Sequence, residues 1–168
     1  KVNDESALAA SVARAGAYDD CIVIERAVVG REIEIAVLGR RDTMVSRPGE
    51  IHVGAEFYDY HDKYTDDRAT VSVPADLPAA VTQQVHDLAL EVTSLLGCRE
   101  MARCDMFVTD DGAVLLNEVN TIPGFTPISM YPKMLNDVGV STMHILSRLV
   151  ADARARHALS QQRSTALG

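Results

Sequence analysis

Three cysteines are all that the 168 residues contain. Cys21, Cys98 and Cys104 are an odd set at no zinc-like spacing, so neither a disulfide framework nor a structural zinc organises this chain. Each sits in an apolar stretch, which predicts three reduced, buried thiols. Positive charge is also short: 16 Lys and Arg stand against 24 Asp and Glu, for a formal charge of -8. That acidity speaks against nucleic acid as a partner held by bulk charge, whereas a small phosphate ligand needs only local cations. The reduced thiols favour a cytoplasmic protein; no apolar run approaches bilayer-spanning length and the N-terminus carries no secretory pattern, so no membrane partner is expected. An initiating methionine is missing too, and the start at Lys1-Val2 reads as that of a fragment. What is present, 47% hydrophobic residues over this length, suits one globular domain with a real core.

Chemistry is concentrated in residues 101–131. Asp111-Gly112, flanked by alternating apolar runs, predicts a two-residue hairpin turn in which glycine supplies the positive φ. Pairing Asp110 with Ala113 then sets Asp105 opposite Glu118 and Arg103 opposite Asn120. Side chains two apart share a strand face, so these four project together, while Cys104, Met106, Val108, Leu115 and Val119 line the core face. Two carboxylates and an amide oxygen suit a hard cation such as Mg²⁺ that keeps water and shares phosphate oxygens. Arg103 beside them points to an anion near the metal. The same register also allows a plain alternative, in which Asp105 and Glu118 form cross-strand ion pairs with Arg103 on a solvated face. Beyond Asn120, Pro123-Gly124 marks a turn where backbone can approach a ligand closely. Ser129 falls at a helix N-cap, with Pro132 in the first turn, and free N–H groups at such a helix start attract an anion.

Upstream, Asn3 or Asp4 caps a helix through residues 5–13 that ends near Gly16. Residues 21–26 read as a buried apolar strand with Glu25 at its exit, and residues 32–39 as a second strand after a turn at Gly30, the two forming a hairpin. Taken singly, Glu25 and Glu32 read as solvated surface acids. Residues 40–53 suggest a short strand pair turned at Pro48-Gly49. Residues 54–68 are polar and rich in tyrosine without helical or strand period, which predicts a loop. Residues 70–73 alternate as a strand stopped by Pro74. Residues 78–96 form an amphipathic helix closed by Gly97, with His86 on its exposed side. Residues 130–135 and 142–158 read as further helices separated at Gly139.

The run Arg103-x-Asp105, then Asn117-Glu118-Val119-Asn120-Thr121-x-Pro123-Gly124-Phe125-Thr126 and Ser129-x-Tyr131-Pro132, resembles the C-terminal signature of D-alanine:D-alanine ligases of the ATP-grasp superfamily. Its first part is shared widely among ATP-grasp enzymes; the continuation narrows the resemblance to this ligase family and its D-alanine:D-lactate relatives. The resemblance implies an α+β chain with the ATP-grasp fold, an antiparallel sheet flanked by helices. Residues 1–24 would end a central subdomain and residues 25–168 would form the C-terminal catalytic domain. An N-terminal substrate domain would be absent from this chain, so that the fragment alone would not turn over.

The resemblance further implies ATP and two Mg²⁺ or Mn²⁺ as cofactors, two molecules of D-alanine as substrates, an acyl phosphate intermediate, a homodimer and a role in peptidoglycan precursor synthesis. By position, it implies Glu25 for the adenine amino group, the backbone of Ala27 and Val28 for the purine edge, and Glu32 for the ribose hydroxyls. Lys63 would contact the terminal phosphate from a mobile omega loop, and Tyr64 would order that loop, in the manner of dipeptide-forming rather than depsipeptide-forming ligases. Asp105, Glu118 and Asn120 would hold the metals. Arg103 and the Gly124 N–H would stabilise the tetrahedral oxygen, and Ser129 with the Met130 N–H would hold the second substrate's carboxylate. Two alternatives of other classes are a nucleotide-binding module without catalysis and a hydrolase using the same oxygen ligands. The complete acid cluster speaks against the first, and the adenine and ribose acids against the second.

Overall fold

The computed structural model describes residues 2–39, 42–52 and 70–162. A 3-10 turn, Glu5–Ala7, is capped by the Asp4 carboxylate and leads into α1, Leu8–Ala15, as the capping residue and alanine-rich run predict. Residues 22–29 then form no regular element, and Val23, Ile24 and Val29 are largely exposed. The expected strand at 21–26, and its hairpin with the next strand, are therefore corrected. An apolar β-branched run becomes a strand only where a neighbour pairs with it, and both edges of the next strand, β1 (Arg31–Leu38), are taken by other partners.

The described strands form one antiparallel sheet. After β1 come β2 (Met44–Val45), β3 (Gly49–His52), β4 (Thr70–Ser72), β5 (Met101–Val108) and β6 (Val114–Asn120). Their order is β4-β3-β1-β5-β6, with β2 paired to the end of β1. β2 and β3 do not pair with each other, as a turn at Pro48-Gly49 would require; both run antiparallel to β1, with Val45 opposite Val37 and Ile51 opposite Glu32. The path breaks between them because Pro48 has no N–H to give a ladder. Buried Ser46 bridges the gap: its N–H donates to the Ala36 carbonyl and its Oγ accepts from the Ala36 N–H, both at 2.9 Å. His86 of α2 (Ala79–Leu95) is half-buried rather than exposed, with Nε2 2.9 Å from the Ser46 carbonyl, so it ties that helix to the break.

Strand β1 feeds two cores because its side chains alternate between the faces of the sheet. Ile33, Ile35 and Val37 meet Val85 and Ala89 of α2 together with Cys104, Met106 and Val108 of β5. On the other face, Ala36 and Leu38 pack under α3 (Met130–Asp137) and α4 (Thr142–Gln161), through Tyr131, Met134, Leu135 and Ile145. Tyr131 is wholly buried and its hydroxyl donates to the Val37 carbonyl at 2.9 Å, which satisfies the one polar atom that its ring would otherwise strand. A Cβ added to Gly49 would press on the Met130 Cε and lie 3.3 Å from the Met134 Cγ, so glycine lets α3 settle onto β3. The part of this second face that carries Glu32 and Glu34 lines a cavity instead.

The cysteines separate by environment. Cys104 is buried, Cys98 half-buried and Cys21, contrary to expectation, exposed, because it precedes the irregular segment. Burial, with the nearby Asp105 charge, pushes the Cys104 thiol up to about 12. An alkylating reagent at neutral pH is expected to modify Cys21 first, Cys98 more slowly and Cys104 only on unfolding, an order that peptide mass spectrometry would read.

Candidate functional site

The hairpin of β5 and β6 reaches the expected pairing at its functional end by an unexpected route. Arg103 faces Asn120 and Asp105 faces Glu118, but Met106 pairs with Leu116, Phe107 with Leu115 and Val108 with Val114. Two deviations cancel. The turn is a three-residue loop, in which the Thr109 N–H donates to the Ala113 carbonyl at 3.0 Å and Gly112 takes φ +83; such loops end in a left-handed glycine. Asn117 is then the extra residue of a β-bulge, which restores the register for Glu118 and Asn120. The Thr109 hydroxyl favours the wider turn by holding the Asp111 carboxylate and accepting from the Ala113 N–H at 3.1 Å. Leu115 consequently sits opposite Phe107 with 41% of its surface exposed, and not on the core face.

Strand order turns one pairing into a row of three carboxylates: Glu34 of β1 faces Asp105 of β5, which faces Glu118 of β6. Arg103, one row along, forks onto Asp105 with Nε to Oδ1 and Nη2 to Oδ2, both 2.7 Å, and its Nε lies 3.3 Å from Glu34 Oε2. The side chains of Arg103, Asp105 and Glu34 are only 13%, 12% and 6% exposed. Burial alone would lower the proton affinity of Arg103, but the Asp105 hydrogen bonds and the charges of Glu34, Asp105 and Glu118 outweigh it, so the guanidinium is held above its ordinary range. The ion pairing that the register allowed is thus present. It joins Arg103 to Asp105 on its own strand and to Glu34, however, while Glu118 is exposed. Glu34 is the site residue that sequence reasoning missed. Its signal was an acid two residues after Glu32 within an apolar strand, and therefore on the same face.

A cavity of about 210 Å³ opens over the row, with Glu32, Glu34, Asp105, Phe107, Asn117 and Glu118 in its lining. It brings the acid expected for a ribose together with two of the residues expected for metal. Glu25 and Ala27 are exposed and Val28 half-buried in the segment before β1, and none of them lines this cavity. Lys63 and Tyr64 lie outside the described residues. A larger cavity, about 580 Å³, lies between α4 and the chain entering β5. Two of the arginines that line it are held in ion pairs, Arg148 with Asp152 and Arg156 with Glu100, and Arg99 lines it as well.

The donor chemistry at the row fits a hard divalent cation. Asp105 and Glu118 supply carboxylates, and Asn120 Oδ1, which accepts from the Ile122 N–H at 3.1 Å, keeps a second lone pair. Among the described residues no three His, Cys, Asp or Glu side chains converge as a metal site, but Mg²⁺ is commonly held by one or two carboxylates plus substrate phosphates. Beyond the hairpin, Gly124, Ser129 and Met130 meet at the start of α3. A Cβ on Gly124 would lie 2.9 Å from Ser129 Oγ, so glycine lets the loop fold back. Ser129 occupies the N-cap, yet its Oγ accepts from the Thr126 N–H at 3.0 Å instead of capping the helix. The first N–H groups of α3 therefore have no side-chain cap from Ser129.

An antiparallel sheet packed by helices on both faces and open over a carboxylate row is shared with solved ligase structures, and the two together give the class: this is the α+β ATP-grasp fold. Within that class the chain belongs to the family described as D-ala D-ala ligase C-terminus, whose model matches residues 1–151. A D-alanine--D-alanine ligase of Chlorobium luteolum is 47% identical over 152 residues, 89% of this chain and 42% of that protein. The structure of the D-alanine-D-alanine ligase from Coxiella burnetii matches with a TM-score of 0.83 at 38% identity, over 96% of this chain and 42% of that one. A D-alanine--D-alanine ligase from Bacillus anthracis complexed with ATP matches with a TM-score of 0.77 at 29% identity, over 94% of this chain and 51% of that one. The chain thus spans less than half the length of the curated relative it matches.

Proposed function

We propose that this chain forms the C-terminal catalytic domain, residues 25–168 preceded by the end of a central subdomain, of an ATP-dependent ligase that joins two D-alanines in peptidoglycan precursor synthesis. The observation that carries the reading is the cavity that Glu32, Asp105 and Glu118 line together, beside the half-buried Arg103. ATP would lie with its adenine amino group toward Glu25, its purine edge against the backbone of Ala27 and Val28, and its ribose on Glu32; acceptor carboxylates suit an amine and a diol. Mg²⁺ or Mn²⁺ held by Asp105, Glu118 and Asn120 would neutralise charge on the ATP phosphates.

In the proposed reaction, a carboxylate oxygen of the first D-alanine attacks the terminal phosphorus of ATP, and ADP leaves. The amine of the second D-alanine then attacks the carbonyl carbon of the acyl phosphate, loses a proton, and inorganic phosphate departs from the tetrahedral intermediate. Arg103 and the Gly124 N–H stabilise the oxygen that becomes negative there. Ser129 and the Met130 N–H hold the second carboxylate at the start of α3. Lys63 and Tyr64 take the phosphate-contacting and loop-ordering roles that the resemblance assigns them. The enzyme works as a homodimer, as the resemblance implies, and in the cytoplasm, which the free cysteines favour.

The test is ADP release from MgATP by the protein at its natural length, with D-alanine, L-alanine, or D-lactate plus D-alanine supplied separately. ADP formation that requires D-alanine and yields the dipeptide is the expected result. Bound nucleotide with no D-alanine-dependent ADP would remove the substrate half of the reading.

A further inference from the structure

Glu34 is an expensive residue for a fold to keep. It is buried, and it faces Asp105 directly across an antiparallel pair, an arrangement in which like charges repel. Desolvating a carboxylate there stabilises nothing that an apolar residue would not stabilise as well. What makes the pair tolerable is Arg103, whose Nε approaches both carboxylates, at 2.7 Å from Asp105 and 3.3 Å from Glu34.

Arg103 therefore has two anionic anchors of different character. Asp105 belongs to the set that fits a divalent cation, and both of its oxygens are engaged by the arginine fork. A cation drawing on those oxygens weakens the fork and repels the guanidinium beside it. Glu34 lies on β1, on the side of β5 away from β6 and Glu118. It is the anchor that the cation does not need.

We propose that Glu34 is a positioning residue that acts through Arg103: it retains the guanidinium at the reaction centre when Asp105 turns to a divalent cation, and so lets one carboxylate serve the arginine and the metal in turn. This rests on the reading of Asp105 and Glu118 as cation ligands. The consequence is an affinity effect at a distance from the metal. Without Glu34, Arg103 stays locked on Asp105 and competes with the cation.

The experiment is a double-mutant cycle on Mn²⁺ affinity, read by water-proton relaxation with the ADP-saturated protein at its natural length. Glu34→Gln is expected to weaken Mn²⁺ binding about tenfold, within the coupling found between contacting residues. In an Arg103→Met background the same substitution is expected to change it less than about twofold. Circular dichroism checks the fold of each variant, and Arg103→Lys, which keeps the charge but loses the fork, replaces Arg103→Met if that protein is unfolded. Equal losses in both backgrounds would make Glu34 a direct ligand or a general field effect and overturn the proposal, as would no loss at all. Asp105→Asn separates the two levels of inference. If it leaves Mn²⁺ affinity unchanged, the cation reading fails and this proposal with it; if it weakens Mn²⁺ binding while Glu34→Gln does not, the role of Glu34 alone is refuted.

Discussion

Replacing Arg103 by methionine is expected to lower kcat of the proposed ligase by about 10² to 10³, the loss typical of removing one donor to a developing oxyanion. It is also expected to destabilise the fold, because Arg103 is the cation between two buried carboxylates, Glu34 and Asp105, that face each other across β1 and β5. Breaking a buried pair by removing one partner costs about 3 to 5 kcal/mol. Two readouts keep these effects apart. Thermal unfolding measures the structural part, and steady-state rates taken well below the transition measure the catalytic part. Arg103→Lys keeps the charge but cannot reproduce the two parallel bonds to Asp105, so it should recover more stability than rate. A methionine variant with unchanged kcat would remove Arg103 from the chemistry and leave it a structural ion pair.

The second large effect belongs to the core. Ile35 is fully buried at the middle of β1, between Glu34 and Ala36, in the cluster with Val85, Ala89 and Cys104. Ile35→Ala is expected to cost about 2 to 5 kcal/mol, from lost burial plus the cavity left beneath α2. Leu115→Ala is its control. A two-residue turn would put Leu115 in the core and predict a comparable loss, whereas the observed pairing with Phe107 and 41% exposure predict less than about 1 kcal/mol. Chemical denaturation of the two variants compares them directly. A large loss for Leu115→Ala would mean that the bulge at Asn117 is wrong.

Much of the site was legible because it depends on short-range rules. The Asp-Gly turn, the two-residue period and the Ser129 helix start are local, and they placed Arg103 opposite Asn120 and Asp105 opposite Glu118 as observed. What was not legible depends on partners distant in sequence. Residues 21–26 carry every local mark of a strand, but whether an edge is free for them is decided by β3 and by β5, far along the chain. Glu34 looked like one more acid in an alternating strand, and only the adjacency of β1 to β5 puts it against Arg103. His86 looked exposed because the break at Ser46, which it ties to α2, cannot be foreseen from helical periodicity. Even the correct register concealed two opposite errors, since a longer turn and a bulge leave the same sum at Glu118.

That cancellation has a consequence for how this hairpin can change over time. The bulge is a spare residue stored between the tip of the hairpin and its chemical end. A one-residue deletion at the tip can be absorbed by straightening the strand at Asn117, and the pairings of Asp105 with Glu118 and of Arg103 with Asn120 survive it. Lineages can therefore lose a residue at the tip without moving Arg103, Asp105, Glu118 or Asn120 out of register.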